Sequence, residues 1–197
     1  MQRAILISLV LATAFGGAGA QDIEIGYDEG PAAGIVFHPV GSASAVQFTP
    51  PTYPVKIVKT KMYLDIHEPS CDLQSVWLLD DDGQDGQPGS VLFGPMRFVT
   101  PQEIGGEWVE FSLPDTSDVV VHDGDFYVAY VQHGAPLECS SLGLDYNSDE
   151  PNRQWQYQDD LWQVVPYPAS DFMIRAIVRT GIVPIVITSW GQLKGGF

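Results

Sequence analysis

The sequence predicts an all-β protein, an antiparallel β-sandwich with a jelly-roll-like arrangement favoured. Short segments that alternate apolar and polar residues recur along the chain, as the two-residue repeat of strands requires. Glycine (20) and proline (15) are frequent, which suits a chain with many tight turns. No stretch repeats its apolar residues every 3.6 positions between helix caps, so little helix is expected. Sequence alone does not separate jelly-roll from Greek-key order.

The strand predicted from Asp125 to Gln132 is central to this fold. Its alternation places apolar side chains on both faces: Phe126, Val128 and Tyr130 on one, Tyr127, Ala129 and Val131 on the other. Because both faces are apolar, the strand needs cover on both sides and belongs in the middle of a packed sheet. Asp123-Gly124 supplies the turn before it. A second strong strand, Phe172–Val178, is expected to pack nearby.

Further strands are predicted in order along the chain. Their ranges are Ile23–Tyr27, Gly34–His38, Ala43–Thr49, Val55–His67, Leu73–Leu79, Val91–Val99, Trp108–Leu113, Val119–Val121, Leu142–Tyr146, Gln154–Gln158 and Trp162–Val165. In Val55–His67 the alternation slips between Val58 and Lys61, which predicts a bulge or a bend. Pro95 predicts an edge strand or a broken one. Asp159-Asp160 predicts a hairpin turn between the last two strands.

The first 20 residues have the pattern of a secretory signal peptide. Arg3 is followed by the apolar run Ala4–Phe15 and the small-residue cleavage site Ala18-Gly19-Ala20. The run is short for a membrane span, so cleavage is favoured over an N-terminal anchor. We therefore expect a leader over 1–20, one sandwich domain over 21–180, a C-terminal segment over 181–197, and a secreted or cell-surface location.

The chain is strongly acidic, with 25 Asp and Glu against 9 Lys and Arg and a formal net charge of -16. Such a surface repels nucleic acid and anionic lipid. No segment after the leader reaches transmembrane length. The composition therefore argues against nucleic-acid binding and membrane insertion, and it leaves an unknown cell-surface protein or a glycan as the partner.

The exported part contains two cysteines, Cys71 and Cys139. An even count in an oxidising compartment favours a disulfide, and each cysteine follows a predicted strand and a proline-containing turn. If the two turns meet at one end of the sandwich, a bridge would contribute roughly 4 kcal/mol on the chain-entropy model. Two free buried thiols are the alternative.

Four short motifs resemble recurrent β-sandwich modules of secreted bacterial proteins. They are Val46-Gln47-Phe48-Thr49-Pro50 with Tyr53-Pro54, Gln87-Pro88-Gly89, Gly124-Asp125-Phe126-Tyr127-Val128 and Asp171-Phe172-Met173-Ile174-Arg175. Such modules occur in cell-surface and secreted proteins, often beside proteases or adhesive repeats. The resemblance extends from Val46 to Arg179, and it brings no catalytic residues with it.

The last residues, Trp190–Phe197, contain a Trp-Gly-x-x-Lys core. They resemble the short C-terminal extensions of some secreted bacterial proteins. That resemblance implies a sorting or attachment signal. A final edge strand with a frayed end is the alternative.

The sequence contains no recognisable catalytic motif. The four histidines, His38, His67, His122 and His133, form no HExxH zinc-protease motif, because His67-Glu68 is followed by proline. A G-x-S-x-G nucleophile elbow is absent as well. Carboxylate pairs that could flank a glycosidic bond are expected from the acidic composition alone. The chain is therefore predicted not to be an enzyme, with a hydrolase assembled from scattered residues as an alternative.

The best candidate for a metal site is the loop Asp80–Gly86. Calcium takes six to eight oxygen ligands, and the loop offers four carboxylates, Asp80, Asp81, Asp82 and Asp85. The EF-hand pattern is not met, since Gly83 occupies the third position counted from Asp81. A solvated hairpin loop, which needs no metal, is the alternative. No cofactor other than calcium is implied.

Aromatic residues cluster near the end of the predicted domain. Trp155, Tyr157 and Trp162 fall close together, and Trp155 and Tyr157 share a strand face. Exposed aromatic faces stack on sugar rings, so these three are candidate glycan-binding residues; covering a sheet face is the alternative. Trp77 and Trp108 lie in apolar strands and are expected in the core.

Three functions remain open at this point. The favoured one is a non-catalytic module with a structural or interaction role at the cell surface. A carbohydrate-binding module would be distinguished by exposed aromatic residues on one face. A hydrolase would be distinguished by a pocket with converging His, Asp and Ser side chains.

Overall fold

The computed structural model describes residues 19–65, 73–99, 105–136, 138–146, 153–165 and 170–181. Its first seven strands are β1 Gln21–Ile25, β2 Gly34–Val36, β3 Ala43–Phe48, β4 Val55–Asp65, β5 Gln74–Asp80, β6 Val91–Arg97 and β7 Glu107–Ser112. The others are β8 Val120–Val121, β9 Phe126–Gln132, β10 Ser141–Asp145, β11 Gln154–Gln158, β12 Leu161–Val164, β13 Asp171–Phe172 and β14 Ile174–Thr180. Within these ranges one 3-10 turn, Gln84–Gly86, is the only helical element.

The strands form two antiparallel sheets. Sheet I has the order β1-β14-β4-β10-β13, with β7 and β8 also paired to β4 and β2 paired to β10. Sheet II has the order β12-β11-β3-β9-β5-β6. One hydrophobic core joins the inner faces of the two sheets. The predicted fold class, an antiparallel all-β sandwich, is confirmed.

Alternate residues of both sheets meet in this core. Sheet I contributes Ile57 and Ile174, and sheet II contributes Phe48 and Phe126, all of them at most 1% exposed. The rings of Phe48 and Phe126 stack with their centroids 5.5 Å apart. Fully burying one such side chain contributes roughly 1.5–3 kcal/mol. The core is therefore the main source of stability.

Strand β9 lies in the middle of sheet II, between β3 and β5, as its two apolar faces predicted. Its inward residues are fully buried, and the outward Tyr127 and Ala129 are buried as well. In the described part of the chain, the outward cover comes from aromatic side chains of neighbouring strands. The second predicted strand, Phe172–Val178, lies across the core from β9, in sheet I, but it is divided at Met173 between β13 and β14.

The bulge predicted in the long strand β4 is confirmed. Ile177 of β14 pairs with Lys59, but the next residue, Val178, pairs with Ile57. Val58 therefore has no partner in that register. The extra residue reverses the alternation, so Ile57 and Met62 face the core although their positions differ in parity.

Two turn and edge predictions are also confirmed. Strand β6, which contains Pro95, lies at an edge of sheet II, where a missing backbone N–H costs little. Asp159 and Asp160 connect β11 to β12 with φ angles of 54° and 62°. Positive φ at both central residues is the signature of the two-residue type I′ hairpin turn.

Two tryptophans that were expected in the core lie on outer faces instead. Trp77 is on the outer face of sheet II, in a second apolar cluster with Tyr127. Trp108 is on the outer face of sheet I, where the guanidinium carbon of Arg175 lies 4.4 Å from its ring centroid. Trp108 and the exposed Glu110 are two residues apart in β7, so their side chains point to the same, outer face. The apolar character of a strand does not by itself indicate which of its faces is inside.

Several predictions concern residues outside the described ranges. These are the leader up to residue 18, the end of the long strand toward His67, Cys71, and the tail from residue 182. They stay predictions. In the ranges that are described, no helix is long and apolar enough to cross a membrane.

Candidate functional site

A groove of about 330 Å³ lies on the outer face of sheet II. Small side chains of the two central strands, among them Ala43 and Ala129, form its floor. Trp77 of β5 lines one side, and Tyr157 of β11 with Trp162 of β12 lines the other. The groove is therefore a shallow apolar trough between two aromatic walls.

The strand register produces this shape. Ala43 of β3 pairs with Tyr157 on one side and with Val131 on the other. Ala129 of β9 pairs with Trp77. Paired residues point to the same face, so each aromatic residue borders a small one. Because β11 and β5 are three strand spacings apart, the walls begin about 14 Å from each other, which leaves room for a narrow ligand.

The first wall stands on the β11–β12 hairpin. The rings of Tyr157 and Trp162 lie with their centroids 5.2 Å apart at an interplanar angle of 52°. The Tyr157 hydroxyl is 3.2 Å from a carboxylate oxygen of Asp160 in the hairpin turn. Burial, followed by this contact with Asp160, raises the pKa of Tyr157. The hydroxyl therefore stays protonated and donates to Asp160, and its oxygen can still accept a hydrogen bond.

Trp155, the third predicted glycan-binding residue, lies beside the groove. Its ring meets Tyr127 edge to face, with centroids 6.0 Å apart and an interplanar angle of 87°. Trp155 pairs with Ala45, so it lies on the same face as Tyr157. The structure thus brings Tyr157 and Trp162 to the groove and places Trp155 as a support behind them. Their role in glycan binding stays a prediction.

The second wall is held by a chain of hydrogen bonds. The indole N–H of Trp77 donates to Ser75 Oγ at 2.9 Å, and Ser75 Oγ lies 2.9 Å from Nε2 of His133. Since an indole nitrogen only donates, the Ser75 hydroxyl is free to donate its own proton to His133. Burial, followed by the charge of Arg97, lowers the pKa of His133. A neutral His133 is the form that accepts this proton.

Sequence reasoning did not find this second wall. The sequence predicts Trp77 in the core, and it places His133 in no recognisable motif. The signal that could have found them is the row of outward-facing small residues, Ala43, Ala45 and Ala129, on two adjacent strands. A central strand with alanine on its outer face leaves space between larger neighbours.

The predicted hydrolase alternative would need an accessible serine beside a histidine. His38 Nε2 lies 2.6 Å from Ser44 Oγ, but both residues are buried in the interior. Burial lowers the pKa of His38 to about 4, and its Nδ1 has no hydrogen-bond partner among the described atoms. Ser75 is also fully buried and already accepts the indole proton of Trp77. Neither pair presents a nucleophile to solvent.

The four aspartates of the calcium prediction are placed in and beside a hairpin loop. Asp80 Oδ1 accepts the backbone N–H of Asp81 at 3.0 Å, and Asp81 Oδ2 accepts that of Asp125 at 2.8 Å. Asp82 Oδ1 accepts the N–H of Ser90 at 2.6 Å. Asp85 has a positive φ of 56° in the 3-10 turn.

Aspartate carboxylates that accept nearby backbone N–H groups in this way are typical of tight turns. Across the described residues, no group of three or more His, Cys, Asp or Glu side chains is placed to hold a metal ion. Calcium binding at the loop stays a prediction.

Cys139 is buried, and its Sγ lies 3.3 Å from the carbonyl oxygen of Leu73. Cys71 lies outside the described residues, two positions before Leu73 in the chain. The segment that follows Cys71 therefore passes close to Cys139. The disulfide between them stays a prediction, and this proximity supports it.

The outer face of sheet I has a different character. Arg175 donates to both carboxylate oxygens of Asp28 at 2.9 and 2.6 Å and to Glu24 at 2.8 Å. Lys61 lies 2.7 Å from Glu24 and 3.2 Å from Glu110. The hydrogen bonds with Asp28 raise the pKa of Arg175. Opposite charges alternate across this face and neutralise one another.

The fold and the groove define a class of molecule: an antiparallel β-sandwich with an aromatic groove on one outer face. No family model matches the chain. A stretch of 103 residues is 33% identical to bacillopeptidase F of Bacillus subtilis (strain 168). That stretch covers 52% of this chain and 7% of the relative, so the chain spans a small part of the relative's length.

Two solved structures share the fold. One is the clostridial cysteine protease Cwp84 after propeptide cleavage, with a TM-score of 0.58 and 13% identity over 81% of this chain and 40% of that chain. The other contains the cysteine protease and lectin-like domains of Cwp84, a surface layer associated protein of Clostridium difficile. Its TM-score is 0.52, with 13% identity over 77% of this chain and 37% of that chain. At such identity the likeness establishes the fold alone.

Proposed function

We propose that this chain is a secreted, non-catalytic module that binds carbohydrate at the cell surface through the groove of sheet II. The observation that carries the proposal is the pair of aromatic walls, Trp77 on one side and Tyr157 with Trp162 on the other, above a floor of small side chains.

The chemistry of the groove favours a sugar. A pyranose ring has an apolar face of C–H bonds, and these positively polarised hydrogens fit the negative face of an aromatic ring. Two polar groups lie at the walls, the Tyr157 hydroxyl and the His133 ring, and either can bond a sugar hydroxyl. The volume of about 330 Å³ is at the lower end of the usual range for ligand sites.

The position of the groove argues against an extended peptide as its ligand. Peptides that bind to sheets commonly add a strand at an unpaired edge, where backbone groups are available. The floor strands β3 and β9 are central strands of sheet II, and each is paired on both sides. Their backbone groups are engaged in the sheet, so the groove offers side-chain faces to its ligand.

A non-catalytic role is supported by the two Ser–His pairs. Ser44 and His38 are both enclosed in the interior, and Ser75 is occupied by Trp77. The comparisons support the same view, since the curated relative and the solved structures are named as peptidases or proteases that this chain matches only in part. One solved structure is named for its lectin-like domains and its surface-layer association. We therefore place this chain beside such accessory modules.

The location outside the cell rests on the predicted leader of residues 1–20. The tail from Trp190 to Phe197 would add a sorting or attachment signal. Both remain parts of the proposal.

Affinity electrophoresis of the chain from Gln21 in gels that contain soluble polysaccharides tests the binding. We expect Trp77→Ala and Trp162→Ala each to reduce the affinity calculated from the retardation about tenfold, since loss of one stacked ring costs roughly 1.4 kcal/mol. Trp108→Ala is the matched control, because Trp108 lies on the outer face of sheet I.

The result is interpretable only if the variants remain folded, which thermal unfolding followed by near-UV circular dichroism establishes. Equal retardation of the wild type and both groove variants would remove the groove from the function. An equal loss of retardation in Trp108→Ala would also remove the groove from the function.

A further inference from the structure

We propose that the groove selects an uncharged polysaccharide and discriminates against polyanionic ones. The inference rests on the proposed function and names its ligand class. It is argued from the charges in and around the groove.

The groove itself carries no formal charge. None of the described residues that line it is Asp, Glu, Lys or Arg. A carboxylate or sulfate group seated in the groove would therefore lose its water without gaining a cationic partner among the described lining residues. Burying an unpaired charge is expensive. An uncharged sugar loses only hydroxyl hydration, which the Tyr157 hydroxyl and the His133 ring can replace.

His133 is the lining residue that could become a cation, and its surroundings keep it neutral. Ser75 Oγ accepts the Trp77 N–H and directs its own proton to His133 Nε2. Protonation would turn that acceptor into a second donor and leave the hydroxyl proton of the fully buried Ser75 without its acceptor. The nearby Arg97 opposes a second positive charge as well.

The rim of the groove is acidic. Asp160 contacts the Tyr157 hydroxyl, and Asp159 precedes it in the same turn. At the far end, Gly89 lines the groove next to Asp82, which binds the N–H of Ser90. These carboxylates add to a chain with a formal net charge of -16. Their repulsion reaches a polyanion over a Debye length of about 8–10 Å at moderate salt.

Matched pairs of polymers with one backbone and different charge test the inference. Suitable pairs are hydroxyethyl and carboxymethyl cellulose, glycol and carboxymethyl chitin, pullulan and carboxymethyl pullulan, and dextran and dextran sulfate. We expect the chain from Gln21 to bind the neutral member of at least one pair about tenfold tighter than its anionic member at low salt. Raising NaCl to about 0.5 M should narrow that gap and leave the neutral affinity unchanged.

A charge variant assigns the discrimination to the groove. Asp159→Asn removes the other carboxylate of the hairpin turn, keeps the Tyr157–Asp160 hydrogen bond, and leaves a residue that tolerates positive φ. The ratio of neutral to anionic affinity should fall about twofold, while the affinity for the neutral polymer stays within about twofold of wild type. Glu110→Gln, which removes the same charge from the outer face of sheet I, is the matched control and should leave the gap unchanged.

The possible failures are distinguishable. Equal or tighter binding of the anionic member would overturn this inference and leave carbohydrate binding intact. A neutral affinity that falls steeply with salt would also overturn it. If no polymer is bound, the proposed function fails and this inference fails with it.

Discussion

The outer faces of the two sheets differ although both follow the same strand alternation. On sheet I the outward positions of β4 and β14 include Lys59, Lys61, Arg175 and Arg179, and acidic partners neutralise them. On sheet II the outward positions of β3 and β9 include Ala45, Tyr127 and Ala129, which carry no charge. Where the charged side chains of a face already pair with one another, little of their charge is left to attract a ligand. A face of uncharged aromatic and small residues is left available to bind one.

The tryptophans of the two faces make the same point. On sheet I the face of Trp108 is occupied by the Arg175 guanidinium at 4.4 Å, and its ring meets Tyr63 edge to face at 5.8 Å. On sheet II the rings of Trp77 and Trp162 border an open groove. Counting aromatic residues does not separate these cases, because the difference lies in what covers each ring.

The largest expected effect is on sheet I. Arg175→Met should destabilise the fold by about 3 kcal/mol or more, because the fully buried carboxylate of Asp28 would lose its partner. Affinity for a groove ligand should be unchanged in conditions where the variant is folded. Urea unfolding and affinity electrophoresis measure the two properties. A binding defect in the folded variant would mean that the two faces are coupled.

A variant of sheet II should have the converse effect, which is weaker binding rather than a less stable fold. The double variant Trp77→Ala, Trp162→Ala should weaken polysaccharide binding about 100-fold, or roughly 3 kcal/mol, if the two walls act independently. Isothermal titration against the best polymer measures it. Binding that survives in the double variant would place the ligand elsewhere.

Lowering the pH tests how the interior between the two sheets contributes to stability. His38 lies between the sheets, against Ser44 of sheet II and Phe172 of sheet I. Burial lowers the pKa of His38 from its ordinary value of 6.5 to about 4, so the unfolded chain binds more protons between these two pH values. The stability from neutral His38 is present above pH 6.5 and is lost as the pH falls toward 4; about 2 kcal/mol should be gone by pH 5.

His38→Gln supplies the comparison for that prediction. Gln does not titrate and can still bond Ser44, so its stability should fall by about 2 kcal/mol less between pH 7 and pH 5. Denaturant unfolding at the two pH values measures both proteins. Parallel losses would assign the acid sensitivity to other groups.

The smallest effect is expected for an exposed ion pair of sheet I. Glu110 lies 3.2 Å from both Lys59 and Lys61, and about half of the Glu110 and Lys59 side chains is exposed to solvent. Exposed pairs gain little, because water and salt screen them. Glu110→Gln should therefore leave the unfolding midpoint and the groove affinity unchanged in calorimetry and titration. A clear loss of stability would show that the charges of sheet I act as a cooperative network.

The sequence by itself determined the fold class and most of the strands. Two-residue alternation located β9 and its two apolar faces, Asp159-Asp160 specified a hairpin turn, and the slip after Val58 located a bulge. These features depend on neighbouring residues only, because side-chain direction and turn geometry are local properties. One wall of the candidate site, Tyr157 with Trp162, came from the same local pattern.

Only the tertiary structure decided which face was covered and which side chains met across strands. Alternation indicates that Trp77, Ser75 and Leu79 share a face, but not whether the other sheet or solvent lies beyond it. Trp77 and Tyr157 are separated by 80 residues, and the register of three strand pairs places them on opposite sides of Ala43 and Ala129. That register depends on packing of the whole core, which no local stretch of the sequence encodes.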